Sequence, residues 1–269
     1  METGLRGKTA LITGGSSGIG RGIALALAAE GVDIAIASRD PDPAAVEAVS
    51  AHGVRCVAIQ ADVVGMVAGA IAQLGRLDLY VNNAAWTWHQ PVTRIDSESW
   101  YRTLNTNLSA CMWACRDVGR HMITRRQGSI LIVGSTVRFN PSYRETSYRV
   151  SKEGLRMYMQ GLAIELAPWG IRVNMVTPGH FRTRMTSTVP RATETKMLEI
   201  IPAHRFGDPG EIGNAAVLLL SDRLSGYTIG ADLVVDGGLT LRPLPLFSAD
   251  EIEAMNAVQP TPAEDADRC

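Results

Sequence analysis

The sequence predicts an α/β fold built on a doubly wound sheet of seven parallel strands, in a single domain. Short apolar runs alternate along most of the chain with longer segments whose apolar residues recur at helical spacing, which is typical of repeated βα units. The chain has 269 residues, of which 46% are hydrophobic and 20% are charged. This length and composition allow one substantial core and leave little room for a second.

The individual elements follow from this alternation. Strands are expected where short apolar runs are bounded by glycine, proline or polar residues, at 9–13, 33–38, 55–59, 77–81, 129–134, 172–176 and 233–235. Helices are expected at 18–30, 43–52, 63–74, 97–125, 147–167 and 209–220. Residues 178–208 have the least regular pattern, and we interpret them as a mobile lid beside the carboxyl edge of the sheet.

The main domain is expected to span residues 1–241, followed by a C-terminal extension at 242–269. Within the extension, Ser248 and Glu251 have the spacing of a capping box, which predicts a short helix. The acidic end of the extension is expected to be disordered.

The charge balance excludes some classes of partner. Lys and Arg number 26 against 27 Asp and Glu, so the formal net charge is -1 and no global field draws the chain to nucleic acid or to an anionic membrane. No apolar run approaches the ~18 residues of a membrane span, and a cytoplasmic location is expected. The four cysteines show no CxxC spacing. Cys111 and Cys115 lie one helical turn apart without a histidine or acid to complete a metal site, and they are expected to be buried thiols.

A glycine-rich turn joins the first strand to the first helix, with the sequence TGGSSGIG from Thr13. Glycines let a backbone turn tightly and approach a pyrophosphate, whose charge the amides and dipole at a helix N-terminus stabilise. A plain βα turn is the alternative. The expected binding residues in this turn are Gly14, Ser16, Ser17, Gly18, Ile19 and Gly20.

Three motifs together give a specific resemblance. The glycine-rich turn, Asn82-Asn83-Ala84 and Tyr148-x-x-x-Lys152 occur in an order and spacing that resemble the short-chain dehydrogenase/reductase family, from about Lys8 to Leu239. The resemblance implies a Rossmann-like domain that both binds a dinucleotide and carries out catalysis. It also implies that Asp62 and Val63 contact adenine, that Asn83, Tyr148 and Lys152 contact the cofactor, and that Phe181 and Thr183 reach the nicotinamide carboxamide. We expect Asn82 to tie neighbouring strands together.

The end of the second strand indicates which dinucleotide is bound. An acidic residue there would accept a hydrogen bond from a ribose 2′-hydroxyl, but this chain has Ser38 and Arg39. A hydroxyl and a guanidinium both suit a 2′-phosphate, so NADP(H) is preferred. If Asp40 neutralises Arg39, NAD(H) becomes possible.

The expected catalytic residues are Tyr148, Lys152, Ser135 and Asn107. Tyr148 and Lys152 fall on one helix face, where an ammonium would lower the pKa of the phenol. Ser135 follows the fifth strand, at the sheet edge where open α/β sheets bind ligands. Asn107 is implied by the resemblance to hold a water beside Lys152, and Asn105 is its local competitor.

The substrate pocket is expected to be lined by the segments that follow these motifs. The candidate residues are Trp86, Trp88, His89, Arg138, Arg144 and His180. The two tryptophans either stack on a substrate ring or bury against the lid. The arginines either favour an acidic, phosphorylated or carrier-linked substrate or reflect an arginine-rich composition.

These residues predict an NADP(H)-dependent oxidoreductase that reduces a carbonyl to a secondary alcohol, or catalyses the reverse, with Tyr148 as general acid or base and no metal. The alternatives are a catalytically silent NADP-binding regulator and an NAD-dependent alcohol or sugar dehydrogenase. Apolar residues such as Trp113 and Met157 on the two longest helices indicate a homodimer or homotetramer, or else an interior role for those residues.

Overall fold

The protein is a seven-stranded parallel sheet with helices on both faces, so the predicted fold class is confirmed. The computed structural model describes residues 2–60, 63–139, 143–183, 191–241 and 250–251. The spatial order of the strands is β3-β2-β1-β4-β5-β6-β7. The strands are β1 (Thr9–Thr13), β2 (Asp33–Ser38), β3 (Cys56–Gln60), β4 (Leu79–Asn82), β5 (Gly128–Val133), β6 (Ile171–Pro178) and β7 (Asp232–Val235).

The predicted helices are present, with ends that shift by a few residues. They are α1 (Gly18–Ala29), α2 (Pro43–Ser50), α3 (Val63–Leu74), α4 (Ser97–Leu104), α5 (Ala110–Arg125), α6 (Thr146–Leu166) and α8 (Pro209–Leu220). A π-helical segment, Asn105–Ser109, joins α4 to α5, so the long helix expected at 97–125 is continuous but locally widened.

Residues 178–208, which have the least regular sequence pattern, contain a helix that was not predicted. Helix α7 (Arg191–Ile200) lies within this range, and α9 (Asp222–Ser225) follows α8. Met197 and Leu198 on α7 pack against a small cluster formed by Ile201, Phe206 and Leu239. This helix is therefore stabilised by tertiary contacts, including one with Leu239, which is distant in the chain. The mobility of the lid remains a prediction.

Two apolar layers hold the sheet, because strand side chains alternate between its faces. Leu11 and Ile130 belong to the layer that includes residues of α3, α5 and α6. Ile12 and Leu131 belong to the layer that includes residues of α1 and α8. From β1 the sheet is built outward in one direction to β3, and from β4 it is built in the opposite direction to β7. The carboxyl edge between β1 and β4 is therefore the place where such sheets bind ligands.

Several remaining expectations have mixed outcomes. Cys111 and Cys115 are buried as predicted, with their Sγ atoms 3.8 Å apart. Trp113 and Met157 are exposed by 44% and 58%, whereas other apolar residues of the same helices are in the core. The capping box at Ser248 lies outside the described residues. Within the described ranges, no helix is long and apolar enough to cross a membrane, and no group of three or more His, Cys, Asp or Glu could hold a metal ion.

Asp78 ties the amino ends of two strands to a helix. Its carboxylate accepts from the Thr9 amide at 2.9 Å, from Arg76 Nε at 2.9 Å and from Arg125 Nη2 at 2.7 Å. Burial alone would raise the pKa of Asp78, but the hydrogen bonds from Arg125, Arg76 and Thr9 outweigh it and hold the pKa below its usual value. The ionised form therefore stabilises the fold.

We predict that Asp78→Asn lowers the free energy of unfolding by about 3 kcal/mol, because it leaves Arg125 without its anion. Because the folded pKa is depressed, this stabilisation is present above the unfolded value of about 4 and is lost as the pH falls through the folded value. Thermal unfolding between pH 3 and pH 7 should therefore show a shallower acid dependence in the variant. Asp117→Asn, which breaks a surface pair with Arg116, is the control and should change little. Equal losses in both variants would contradict this role of Asp78.

Candidate functional site

The candidate site lies at the carboxyl edge of the sheet, where β1, β4, β5 and β6 end. The first part of this site is the glycine-rich turn between β1 and α1. Gly14 has a φ of 65°, and a Cβ on Gly20 would lie 2.3 Å from the Gly14 carbonyl oxygen, so the turn closes on itself only with glycine. Ser17 is the N-cap of α1 but makes no side-chain cap hydrogen bond. The first amides of α1 are thus left to an anion at the turn.

Asn83 fastens this turn to β4. Its Nδ2 donates to the carbonyl oxygens of Thr13 at 2.9 Å and Gly14 at 3.2 Å, and its amide donates to Thr13 Oγ1 at 2.9 Å. We expected Asn82 to tie neighbouring strands together, and this prediction is wrong. The Asn82 side chain accepts from the Tyr80 hydroxyl within its own strand, because alternation points it into the core. A contact between Asn83 and a cofactor remains a prediction.

The end of β2 carries the residues expected to select the dinucleotide. Ser16 Oγ donates to Ser38 Oγ at 3.4 Å, so these hydroxyls lie together beside the turn. The Arg39 carbonyl accepts from Gln60 Nε2 at 3.2 Å, while its side chain is exposed. In the part of the chain that the structure describes, Arg39 and Asp40 form no ion pair. The proposed neutralisation of Arg39 by Asp40 therefore finds no support.

Other expected cofactor contacts have different outcomes. Asp62 lies outside the described residues, and Val63 begins α3. Thr183 lies against the turn, since its Cγ2 would be 3.3 Å from a Cβ on Gly18. The Phe181 side chain is buried in the core against Gly207, so any contact with a cofactor has to come from its backbone.

A cavity of about 830 Å³ adjoins the glycine-rich turn. It opens between α1, α8 and the segment Arg182–Thr183, and its lining includes Gly18, Phe206 and Asn214. Ser135, Tyr148 and Lys152 are not part of this lining. The cavity is thus a neighbour of the turn and is separate from the expected catalytic residues.

Ser135, Tyr148 and Lys152 are brought together between β5 and α6. The side chain of Ser135 interacts with the Tyr148 hydroxyl and favours its ionised form. Lys152 is 2% exposed, its Nζ donates to the Val133 carbonyl at 2.9 Å, and it lies 5.6 Å from the centre of the Tyr148 ring. Ser135 and Lys152 therefore flank the tyrosine from two different elements, as the motif spacing indicated.

The protonation of this group differs from the sequence-based expectation. Burial raises the pKa of Tyr148 to about 12, and the hydrogen bond with Ser135 only partly offsets it. Burial also lowers the pKa of Lys152 to about 8. The pKa of the phenol is therefore not lowered overall, as the sequence had led us to expect, because burial of Tyr148 outweighs the interactions that favour its ionised form. Tyr148 is consequently neutral at physiological pH.

Asn107 lies in the π-helical segment and is buried, whereas Asn105 is exposed. Its Oδ1 accepts from the Trp86 amide at 2.7 Å, and its Nδ2 donates to the Trp86 carbonyl at 2.9 Å and to Ser151 Oγ at 3.0 Å. Asn107 thus clamps the chain after Asn83 against α6. Its role in holding a water remains a prediction.

Most of the expected substrate residues contact one another or a nearby side chain. The rings of Trp86 and Trp88 are parallel within 4° with centroids 6.3 Å apart, so they stack on each other. The Arg102 guanidinium lies 4.5 Å from the centre of Trp86, a contact that sequence reasoning missed because the two residues are far apart in the chain. His89 Nδ1 lies 3.6 Å from Glu145, and Arg144 Nη2 donates to the His89 carbonyl at 2.9 Å.

Two further candidates are placed elsewhere. The Arg138 side chain is 8% exposed and pairs with Asp232 and Glu153, so the expectation that it binds an anionic substrate is wrong. Its charge is already neutralised within the protein. The ring of His180 packs against Phe206 at 5.9 Å, and burial lowers the pKa of His180.

Comparisons with known proteins show which proteins this chain is similar to. Residues 14–240 match a family model described as enoyl-(acyl carrier protein) reductase. A 3-oxoacyl-[acyl-carrier-protein] reductase FabG from Chlamydia pneumoniae is 35% identical over 248 residues, which cover 89% of this chain and 100% of the relative.

Solved structures of similar proteins share the fold over most of their length. A candidate short-chain alcohol dehydrogenase from Sinorhizobium meliloti 1021 superposes with a TM-score of 0.86 at 34% identity, over 90% of this chain and 100% of its own. A candidate 2-deoxy-D-gluconate 3-dehydrogenase from Agrobacterium tumefaciens, solved with bound NADP, gives 0.84 at 29% identity, with 90% and 99% coverage. An NAD+-bound xylitol dehydrogenase gives 0.81 at 28% identity, with 87% and 100% coverage.

The protonation state of Tyr148 can be tested without any ligand. At pH 10 we expect roughly one Tyr148 side chain in a hundred to be ionised, against one in two for an unperturbed tyrosine. The near-ultraviolet difference spectrum between the wild type and Tyr148→Phe, followed from pH 7 to pH 10, measures this fraction. Ser135→Ala should raise the pKa of Tyr148 further, since a hydrogen bond that favours the phenolate is lost. A phenolate signal from Tyr148 near pH 8 would contradict this arrangement.

Proposed function

Because the chain belongs to the short-chain dehydrogenase/reductase family, we propose that it is an NADP(H)-dependent oxidoreductase that reduces a carbonyl to a secondary alcohol. Ser135 and Tyr148 lie together beside the buried Lys152, at the same sheet edge as the glycine-rich turn, and this placement carries the proposal. Two hydroxyls from different elements can then reach one carbonyl oxygen. The match over 14–240 supports a single catalytic domain at 1–241.

The residues at the carboxyl edge fit a dinucleotide with a 2′-phosphate. The turn is closed by glycine, and the N-cap Ser17 leaves the amides of α1 open to a pyrophosphate. Ser38 and the exposed Arg39 offer a hydroxyl and a guanidinium where a carboxylate would repel a phosphate. When bound, NADPH supplies the hydride that reduces the carbonyl carbon.

The protein's own groups supply the proton and the electrostatic stabilisation. Tyr148, held neutral by burial, donates its proton to the carbonyl oxygen as negative charge develops there. Ser135 donates a hydrogen bond to the same oxygen, which stabilises that charge in the transition state. Lys152 carries its charge below its pKa of about 8 and, beside the Tyr148 ring, favours the phenolate that remains after proton transfer. This protonation pattern favours the reductive direction.

The substrate class is proposed from the surface formed by Trp86, Trp88 and Arg102 and from the relatives. Trp86, Trp88 and Arg102 form a continuous aromatic and cationic surface beside the clamp at Asn107. A substrate with an apolar chain and an acidic or carrier-linked end suits such a surface. A 3-oxoacyl thioester, on which the Chlamydia pneumoniae relative acts by name, is therefore the first substrate to test.

We also propose that the protein forms a homodimer or homotetramer through α5 and α6. Trp113, Met157 and Ile164 on these helices are 44%, 58% and 77% exposed. Apolar side chains of this size on adjacent helices are typical of a subunit interface.

Tyr148→Phe tests the catalytic assignment. We expect kcat for NADPH-dependent reduction of 3-oxoacyl thioesters to fall by about 10²- to 10⁴-fold, because the proton donor is lost. The Kd for NADPH, measured by fluorescence, should stay unchanged. Tyr227→Phe, at a fully exposed tyrosine, is the matched control and should retain activity. A wild type that binds NADPH but reduces no ketone, sugar or acyl thioester would support the silent regulator instead.

Arg39→Ala tests the choice of cofactor. We expect the Kd for NADPH to rise about 10- to 100-fold, because a charge-assisted contact with the 2′-phosphate is lost. Affinity for NADH should hardly change. Arg120→Ala, at an exposed arginine on α5, controls for the general loss of positive charge. Equal weakening of NADPH and NADH binding would rule out a phosphate contact for Arg39.

A further inference from the structure

We propose that Arg138 is a positioning residue, which fixes the turn carrying Ser135 relative to the helix carrying Tyr148. Ser135 is the N-cap of a short 3-10 turn, Thr136–Arg138, and its Oγ accepts from the Val137 amide at 3.4 Å. So short a turn has little intrinsic rigidity. Its position depends on what holds its far end, and that end is Arg138.

The first anchor of Arg138 is on the edge strand β7. Its Nη2 pairs with Asp232 Oδ2, and Asp232 Oδ1 accepts from Thr177 Oγ1 on β6 at 2.5 Å. The sheet register places Asp232 beside Met175, and Met175 beside Ile132 on β5. Asp232 is therefore level with the end of the strand from which Ser135 emerges. Arg138 spans from that turn across β6 to β7.

The second anchor is on α6 itself. Arg138 Nη1 lies 3.7 Å from Glu153 Oε2, and Glu153 is the residue next to Lys152. A reciprocal contact runs the other way, since Arg149 Nε, next to Tyr148, donates to the Val137 carbonyl at 2.8 Å. The turn and the helix are thus joined by side chains adjacent to each catalytic residue.

Burial makes the pair between Arg138 and Asp232 selective in geometry. The Arg138 side chain is 8% exposed and that of Asp232 is 16% exposed, and the Arg138 guanidinium lies 3.9 Å from the centre of the Phe139 ring. A planar guanidinium that pairs through two different nitrogens with two carboxylates fixes direction as well as distance. Arg138 touches none of the reacting atoms, so its effect on the reaction must pass through Ser135.

A double-mutant cycle with Ser135 tests this route. We expect Arg138→Met to lower kcat by about 10- to 100-fold, as for a displaced catalytic group, while KM for NADPH changes less than about twofold. In a Ser135→Ala background, Arg138→Met should lower kcat no further. A full additional loss in that background would overturn the proposal, because Arg138 would then act by another route.

A second readout needs no substrate. Because the kinetic cycle rests on the proposed function, a second measurement is made without substrate. A fluorinated tyrosine is placed at position 148, and its pKa is measured by ¹⁹F NMR in the same variants. Arg138→Met should raise its pKa in the same direction as Ser135→Ala, since the hydrogen bond with Ser135 is weakened in both. If no carbonyl is reduced but this shift is observed, the proposed function fails and the positioning role stands. An unchanged titration would overturn the positioning role.

The matched control is a second buried arginine in the same sheet. Arg172, near the amino end of β6, is 5% exposed and pairs with Asp222 at 2.9 Å. Arg172→Met should lower thermal stability while leaving kcat and the ¹⁹F titration unchanged. If Arg138→Met behaves in the same way, its role is purely structural and the proposal is wrong.

A milder variant covers the case in which Arg138→Met does not fold. Arg138→Lys keeps one charge for Asp232 but lacks the second arm for Glu153. It should fold, lose part of kcat and shift the ¹⁹F titration by less than Ser135→Ala does. If kcat and the ¹⁹F titration of this variant both match the wild type, a side chain that pairs with both carboxylates is not needed, and the proposal is overturned.

Discussion

The interaction between the side chains of Ser135 and Tyr148 is the one on which the arrangement of the site depends. It joins the end of β5 to the first turns of α6, and it partly offsets a burial that raises the pKa of the phenol to about 12. Without that burial Tyr148 would be an ordinary exposed tyrosine, and without Ser135 nothing in the described part of the site would favour its phenolate through a hydrogen bond. The pKa of Tyr148 therefore depends on how closely the end of β5 and the first turns of α6 approach each other.

Other polar contacts hold the elements of the site in place relative to one another. The Asn83 side chain fixes the glycine-rich turn to β4, and Asn107 clamps the Trp86 backbone against α6. Lys152 is anchored by the Val133 carbonyl at the end of β5. Each of these links crosses between two elements that end at the same edge of the sheet. The parallel topology brings those ends together, and the polar side chains then set their spacing.

The sequence predicted the parts of this arrangement that depend on local spacing. Alternating apolar runs located the strands, and the separation of Tyr148 from Lys152 placed both on one face of a helix. It failed where a partner is distant. Helix α7 is stabilised by contacts with Phe206 and Leu239, and Arg138 is neutralised by Asp232, 94 residues away. The direction of the pKa shift of Tyr148 was also predicted wrongly. Burial of the phenol depends on the whole fold, whereas spacing in the sequence indicates only which residues are neighbours.

The central claim is that Ser135 and Tyr148 act on one carbonyl oxygen. A crystal structure of the protein with NADP⁺ and a 3-hydroxyacyl thioester tests it most directly. We predict that the substrate oxygen lies within about 3 Å of both Ser135 Oγ and Tyr148 Oη, with the substrate chain along Trp86. A substrate bound with its oxygen out of reach of either hydroxyl would contradict the claim.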